Sequence, residues 1–344
     1  MRKVKIQLLI TATMTSMAVG AQTTGNASKM LGGRLDFGVT AGVTGVGFDL
    51  AMPMTDYLRV RSGFSYMPRV EVPMTFKIQV GDDPSTSDRK FNRMSSMLES
   101  LTGNPVENHV EMIGRPTMWN WSLLADVFPL KSNKHWRVTV GVYIGPKLVA
   151  ESYNKTESMP SLMGVDIYNN LYNKLHGVSR RDLPGVKIID FGPGYENVFT
   201  DPNLLLYLQE KLDAAGRMGI HMGTYTHDVV NEKGEVIHQK GDDYVMEPDA
   251  NHMVKVAMKV DAIKPYIGVG YEGRLDKRND RLYVAADAGI MFWGGTPSLK
   301  THDGTDLIND VENIKGKVGD YVKIMSKLGV CPVINLRCSY VLFK

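Results

Sequence analysis

The sequence predicts an all-β fold: an eight-stranded antiparallel transmembrane β-barrel of up-and-down topology, with long, partly helical external loops. Three observations predict it. Eight segments alternate apolar and polar residues with a period of two, the pattern of a strand with one apolar and one polar face. The connections between them alternate between short and long. The N-terminus carries the marks of export.

The opening MRKVKIQLLITATMTSMAVGAQ places Arg2, Lys3 and Lys5 before an apolar run from Ile6 to Val19, with small residues before a cut at Gln22. This reads as a secretory signal peptide over residues 1–21, leaving 22–344 as the barrel domain. The formal net charge of +3 comes from those three basic residues, and the mature chain is neutral. That balance gives no electrostatic case for a nucleic-acid partner. No later segment approaches ~18 uninterrupted apolar residues, so no transmembrane helix is expected. Cys331 and Cys338 fall on one apparent strand, more than ~20 Å apart, too far for a disulfide.

The strands follow in order. Leu35, Phe37, Val39 and Ala41 alternate with Arg34, Asp36, Gly38 and Thr40; a turn near Gly42 to Gly45 leads to Val46, Phe48, Leu50 and Met52. Leu58 to Val80 is longer than the ~9–11 residues a membrane strand needs, so its distal half is expected to continue past the bilayer, as is Met253 to Val260. Trp119 to Val127 and Trp136 to Ala150 (WRVTVGVYIGPKLVA) come next, then Tyr266 to Glu272, Arg281 to Phe292 and Ile334 to Leu342. Barrel strands are thus expected within about 34–80, 118–150, 262–295 and 331–343. Pro53 to Asp56, Lys131 to His135 and Asp276 to Asp280 are short turns of turn-forming residues. The long connections run from Gly81 to Pro116, Ser152 to Asn251 and Gly294 to Val330. Outer-membrane barrels have short periplasmic turns and long external loops. This asymmetry predicts both termini in the periplasm and the loops outside, with an external cap subdomain over about 152–251. A soluble sandwich would reproduce the alternation but not the asymmetry combined with export.

Within the loops, Leu162 to Leu175 and Asn203 to Ala215 have helical spacing, the latter after an Asp201-Pro202 cap. Thr305 to Lys327 reads as a further helical run, and Asp228 to Lys240 as a hairpin turning at Glu232-Lys233-Gly234.

If the apolar faces meet outer-membrane lipid, the polar faces line the lumen. The expected lumen residues are Arg34, Asp36, Asp49, Arg59, Arg61, Asp126, Arg137, Lys147, Glu272, Asp287 and Arg337. Eight strands leave an interior just wide enough for side chains, so mixed charges should pair there and glycines should leave room for long arginines. Trp119, Trp121, Trp136, Phe292 and Tyr340 sit near strand ends, where aromatic girdles meet headgroups.

The signal peptide, the eight alternating strands and the ending LRCSYVLFK resemble the OmpA/OmpX-type eight-stranded outer-membrane barrels. They resemble more closely a set of barrels of Bacteroides-like bacteria, with WNWSLLADVFPL and IKPYIGVGYEGRLDKRNDRLYVAADAGIMFWGG the most characteristic stretches. The resemblance implies insertion by the barrel-assembly machinery, which reads a terminal strand ending in Phe. Here strict alternation puts Phe343 in register with Arg337 and Ser339, off the apolar face. It implies no catalytic residues.

Gly268-Val269-Gly270-Tyr271-Glu272-Gly273 matches a dinucleotide fingerprint, but that motif needs a following helix, and here a hairpin follows. His221, His227, Asp228, Asp242, Asp243 and His252 match no metal-ligand spacing and read as solvated loop polars. No cofactor and no enzymatic activity are expected. The expectation is a surface-interaction or envelope-structure barrel with an unidentified extracellular ligand; a small or gated transport barrel is the alternative.

Overall fold

The computed structural model describes residues 34–130, 133–183, 186, 201–230, 233–276, 279–314, 316–327 and 329–343. The signal-peptide segment lies outside the described residues, as do 131–132, 231–232 and 277–278 within three of the expected turns.

In chain order, β1 (Leu35–Gly42), β2 (Gly45–Pro53) and β3 (Leu58–Tyr66) open the fold. The first long connection holds β4 (Val72–Lys77), β5 (Gln79–Val80), α1 (Pro84–Thr102) and β6 (His109–Pro116). After β7 (Trp119–Val127) and β8 (Trp136–Ile144) comes β9 (Leu148–Asn154), then α2 (Met159–Leu175) and α3 (Pro202–Ala215). The second connection continues through β10 (Met218–Tyr225), β11 (Val229–Val230), β12 (Val236–His238), β13 (Asp243–Met246) and β14 (Lys255–Lys259). β15 (Ile263–Asp276) and β16 (Asn279–Phe292) form a long hairpin. β17 (Ser298–Thr301), β18 (Val311–Glu312) and α4 (Gly316–Lys327) precede the closing strand β19 (Val330–Phe343).

Eight strands close into one antiparallel barrel in the order β1-β19-β16-β15-β8-β7-β3-β2. Each barrel strand pairs with the barrel strands before and after it in sequence, and β19 closes on β1 through Phe37↔Tyr340 and Val39↔Cys338. The β2–β3, β7–β8 and β15–β16 turns and the two strand termini lie at one end of the barrel; the long connections and the tight Gly42–Gly45 turn lie at the other. A register shift pairs Leu35 with Phe343 but Asp36 with Val341. One extra residue reverses the side-chain alternation. Phe343 is accordingly 65% exposed instead of joining Arg337 inside.

The Leu58–Val80 stretch does not run as one ladder. β3 ends at Tyr66, and Pro68, which has no N–H to give, lies in the break before β4. Five barrel strands are extended in this way, and their continuations form a separate sheet of order β17-β14-β9-β6-β4. Single backbone bonds stitch the two sheets at the rim: Met67 N donates to Met118 O, Thr117 N to Val149 O and Val260 N to Lys147 O.

The head above this rim has one apolar core drawn from all three long connections. Ile78, Leu98 and Met112 come from the first, Leu162, Tyr168 and Tyr244 from the second, and Leu307 and Val311 from the third. The cap is therefore wider than residues 152–251, because helices α1 and α2 must each bury an apolar stripe and find it in the other loops. α1, absent from the sequence reading, is capped by Asp83, whose side chain accepts from Ser85 N, with Pro84 at its first turn. Asp201 caps α3 in the same way. The expected helix from Thr305 begins only at Gly316. Asp303 accepts from Thr305 N, and Asp306 from Leu299 N and Ile308 N, so local side-chain bonds hold that segment in turns instead.

Candidate functional site: a filled lumen beneath a folded head

Inside the barrel, inward positions of seven strands converge on one ionic network. Arg59 on β3 forms a fork on Glu272 of β15 at 3.0 and 2.8 Å and also donates to Asp126 of β7 at 3.0 Å. Arg61 donates to Asp126 at 2.8 Å and lies 3.5 Å from Asp287 of β16. Arg137 on β8 reaches Glu272 at 3.1 Å and Asp287 at 2.6 Å, and Thr139 donates to Asp126 at 2.8 Å. Arg337 on β19 grips Asp49 on β2. Four guanidinium groups meet four carboxylates, so the network is neutral. Buried charges of either sign alone would carry a desolvation cost of several kcal/mol each, which pairing offsets.

The eighth strand contributes space. A Cβ on Gly38 of β1 would sit 2.6 Å from Arg337 Nε, and one on Gly270 would sit 2.3 Å from Asp287 Oδ1. Above the ionic layer, toward the head, Tyr143 and Tyr266 meet edge to face at 5.4 Å, backed by Leu124, Met291 and Val333. Above these again lie Asn120 and Lys264, both fully buried. A cavity of about 30 Å³ lined by Thr44, Asp49, Arg61, Tyr143, Tyr266 and Asp287 remains, room for about two waters.

Asp36, Asp49, Arg59, Arg61, Asp126, Arg137, Glu272, Asp287 and Arg337 are all buried here. Arg34 is half-buried at the short-turn end, paired with Asp36 at 2.8 Å and lying over the Tyr283 ring. Lys147 departs from the expectation: it is exposed. β8 ends at Ile144, and the Gly145-Pro146-Lys147 link to β9 breaks the pleat, so the alternation cannot be counted through it. Tyr143 and Thr139 share the polar face of β8, but their packing and bonding depend on partners from other strands. Lys264 shares the parity of Tyr266 and Glu272, but it lies two residues ahead of the Tyr266 start expected for that strand.

The outward face is the inverse of the interior. Val39, Phe48, Leu123, Val140, Val269 and Leu336, on six different strands, are between 41 and 60% exposed. Trp119, Trp121 and Phe292 lie at the head end of the barrel, with Phe64 stacked on Trp119 at 6.0 Å. Trp136 and Tyr340 lie toward the short-turn end, where Trp136 meets Tyr271 edge to face at 5.1 Å. The aromatic residues thus form two bands.

In the head, the loop histidines go to different places. His227 lies 3.9 Å from Asp310 and His252 3.4 Å from Asp166. His221 lies 3.8 Å from Asp243, and Asp82 of the first connection, which spacing could not relate to them, completes that cluster. Burial pushes the His221 imidazole down, against the pull of the two carboxylates. A separate groove of about 320 Å³ crosses β9, β14 and β17, lined by Tyr153, Met253, Lys255, Ala257, Lys300 and His302. The Gly268–Gly273 motif lies inside β15 and leads into a hairpin, with no helix N-terminus for a pyrophosphate.

No protein-family model matches the chain, and no curated protein matches it. Among solved structures it is similar to CarO2 of Acinetobacter baumannii, at 13% identity and a TM-score of 0.34, over 90% of this chain and 98% of that one. CarO of Acinetobacter baumannii is similar at 11% identity and a TM-score of 0.36, over 89% and 96%. A major outer membrane protein from Thermus thermophilus follows at 10% identity and a TM-score of 0.25, over 90% and 99%. At such TM-scores these likenesses add no argument, and the barrel rests on its own strand register.

Proposed function

We propose that this protein is an integral outer-membrane barrel whose lumen is a structural core and whose head is displayed at the cell surface. In this reading the protein is non-catalytic, and the head serves surface interaction or envelope structure. The observation that carries the reading is the inversion of the barrel. Its outward positions are apolar around the wall, while its interior is ionic. Water on both sides would leave an apolar patch far larger than the few hundred Å² a soluble monomer tolerates. Lipid outside removes that cost. A closed barrel also leaves no unpaired strand edge within the hydrocarbon.

The apparent export signal and the placement of the short turns support a periplasmic position for both termini and an extracellular head. The ionic network, the Tyr143–Tyr266 layer and the small cavity argue for a plugged barrel over the transport alternative. Heat-modifiability of the outer-membrane fraction on a detergent gel tests the barrel, because folded barrels resist detergent cold and shift after boiling. Planar-bilayer recording tests the plug. No gel shift, with the protein in the soluble periplasmic fraction, defeats the proposal; a steady conductance replaces it with the transport reading.

A further inference from the structure

We infer that Asp82, His221 and Asp243 form a binding site for a divalent first-row transition-metal cation, which joins the first long connection to the second. Asp82 follows β5, His221 lies in β10 and Asp243 opens β13. β5 pairs with β10 through Val80↔Met218, and Gly81 N donates to Arg217 O, so the end of the first connection is carried against β10. The β10–β13 ladder shifts register between His221 and Gly223. Such bulges re-aim side chains beside functional sites.

One ligand atom from each of the three residues lies within 4.8 Å of the other two. Tetrahedral donors about 2.1 Å from zinc lie about 3.4 Å from one another. Asp82 is exposed, so its carboxylate has room to turn toward the other two donors. The ring of His221 is 11% exposed, and its Nε2 is buried without a hydrogen-bond partner. Its Nδ1 is 3.8 Å from Asp243, beyond hydrogen-bond reach. Among the described residues no salt bridge reaches Asp82, and that of Asp243 is the long contact to His221. Two carboxylates thus share a site with an imidazole. One nitrogen and two oxygen donors suit zinc, manganese, iron(II) or cobalt, whereas calcium and magnesium take oxygen donors. Three protein donors leave a position for water.

The test is isothermal titration of the full-length mature protein, refolded in detergent without a histidine tag and stripped with chelator. Zinc chloride is titrated first, then calcium chloride. Asp82→Asn and Asp243→Asn keep side-chain size, and an unchanged heat-modifiable gel shift verifies their fold. The expected result is one zinc per chain, with affinity lowered in either variant by more than the roughly 10- to 100-fold that loss of an outer-shell partner costs. Zinc should also slow proteolysis between the two connections in the parent protein and not in the variants. The inference is overturned if zinc does not saturate at one per chain, if the variants bind as the parent does, or if calcium binds equally well.

Discussion

Arg337 of β19 and Asp49 of β2 are joined by three hydrogen bonds of 2.6 to 3.0 Å across β1, the strand that separates theirs. The guanidinium passes over Gly38, where any Cβ would collide with it. The contact links residues 288 apart in sequence and ties the first hairpin to the last strand. Asp49→Ala strands a fully buried guanidinium and is expected to cost about 3–5 kcal/mol. Replacing both partners, Asp49→Leu with Arg337→Met, should recover most of that loss. Urea unfolding in lipid vesicles measures both, and equal midpoints for the single and double variants would contradict the assignment.

The wall offers a sharper discrimination between lipid and water. Leu336 is 60% exposed in the middle of β19. In water, arginine at such a site changes stability by no more than about 0.5 kcal/mol. At the bilayer midplane it costs about 2–4 kcal/mol. Leu336→Arg is therefore expected to lower the urea midpoint in vesicles, with little effect from arginine at the exposed turn residue Asp56.

The ionic network should also act as the plug. Replacing Arg59, Arg61 and Arg137 with serine removes three long side chains and leaves Asp126, Glu272 and Asp287 lining a wider, acidic bore. The parent protein is expected to be silent in planar bilayers and the triple variant to pass cations. Silence from both would place the barrier at the Tyr143–Tyr266 layer.

The single core of the head makes its loops interdependent. Leu162 of α2 is 1% exposed and packs in the core that holds Leu98 and Met112 of the first connection. Leu162→Ala should destabilise the head by about 2–5 kcal/mol. Protease should then cut residues 81–108 as well as the second connection, with the heat-modifiable gel shift preserved. Cleavage confined to the second connection would mean that the loops fold separately.

Acid should loosen the head at its third connection. Burial alone would raise the Asp303 carboxyl, but hydrogen bonds from the Thr301 hydroxyl, the Thr305 amide and the Tyr244 hydroxyl hold it below the usual carboxylate range. A carboxyl depressed on folding adds stability above its unfolded pKa, and that stability is lost as pH falls through the folded value. Protection of the head against pepsin, which works in acid, should therefore fall below about pH 4. Asp303→Asn should flatten that fall and lower protection above it.

The alternation of sequences such as WRVTVGVYI was enough to place all eight barrel strands and the polar face of each, because side-chain direction in a strand depends only on parity. The spacing of turns and loops was enough to place the long connections at one end. Parity also marks its own limits. It fails where the pleat is interrupted, which is why Lys147 is exposed beyond Pro146 and why a bulge turns Phe343 outward. Asp83-Pro84 carried the same helix-start signal as Asp201-Pro202, but the mixed polar run behind it hid α1. Periodicity assigns a residue to a face and says nothing of its partners. Which arginine meets which carboxylate, that Gly38 admits Arg337, and that Asp82 stands beside His221 follow from closing the barrel and packing three distant loops into one core. Those are long-range contacts set by barrel curvature and register, and no local pattern encodes them.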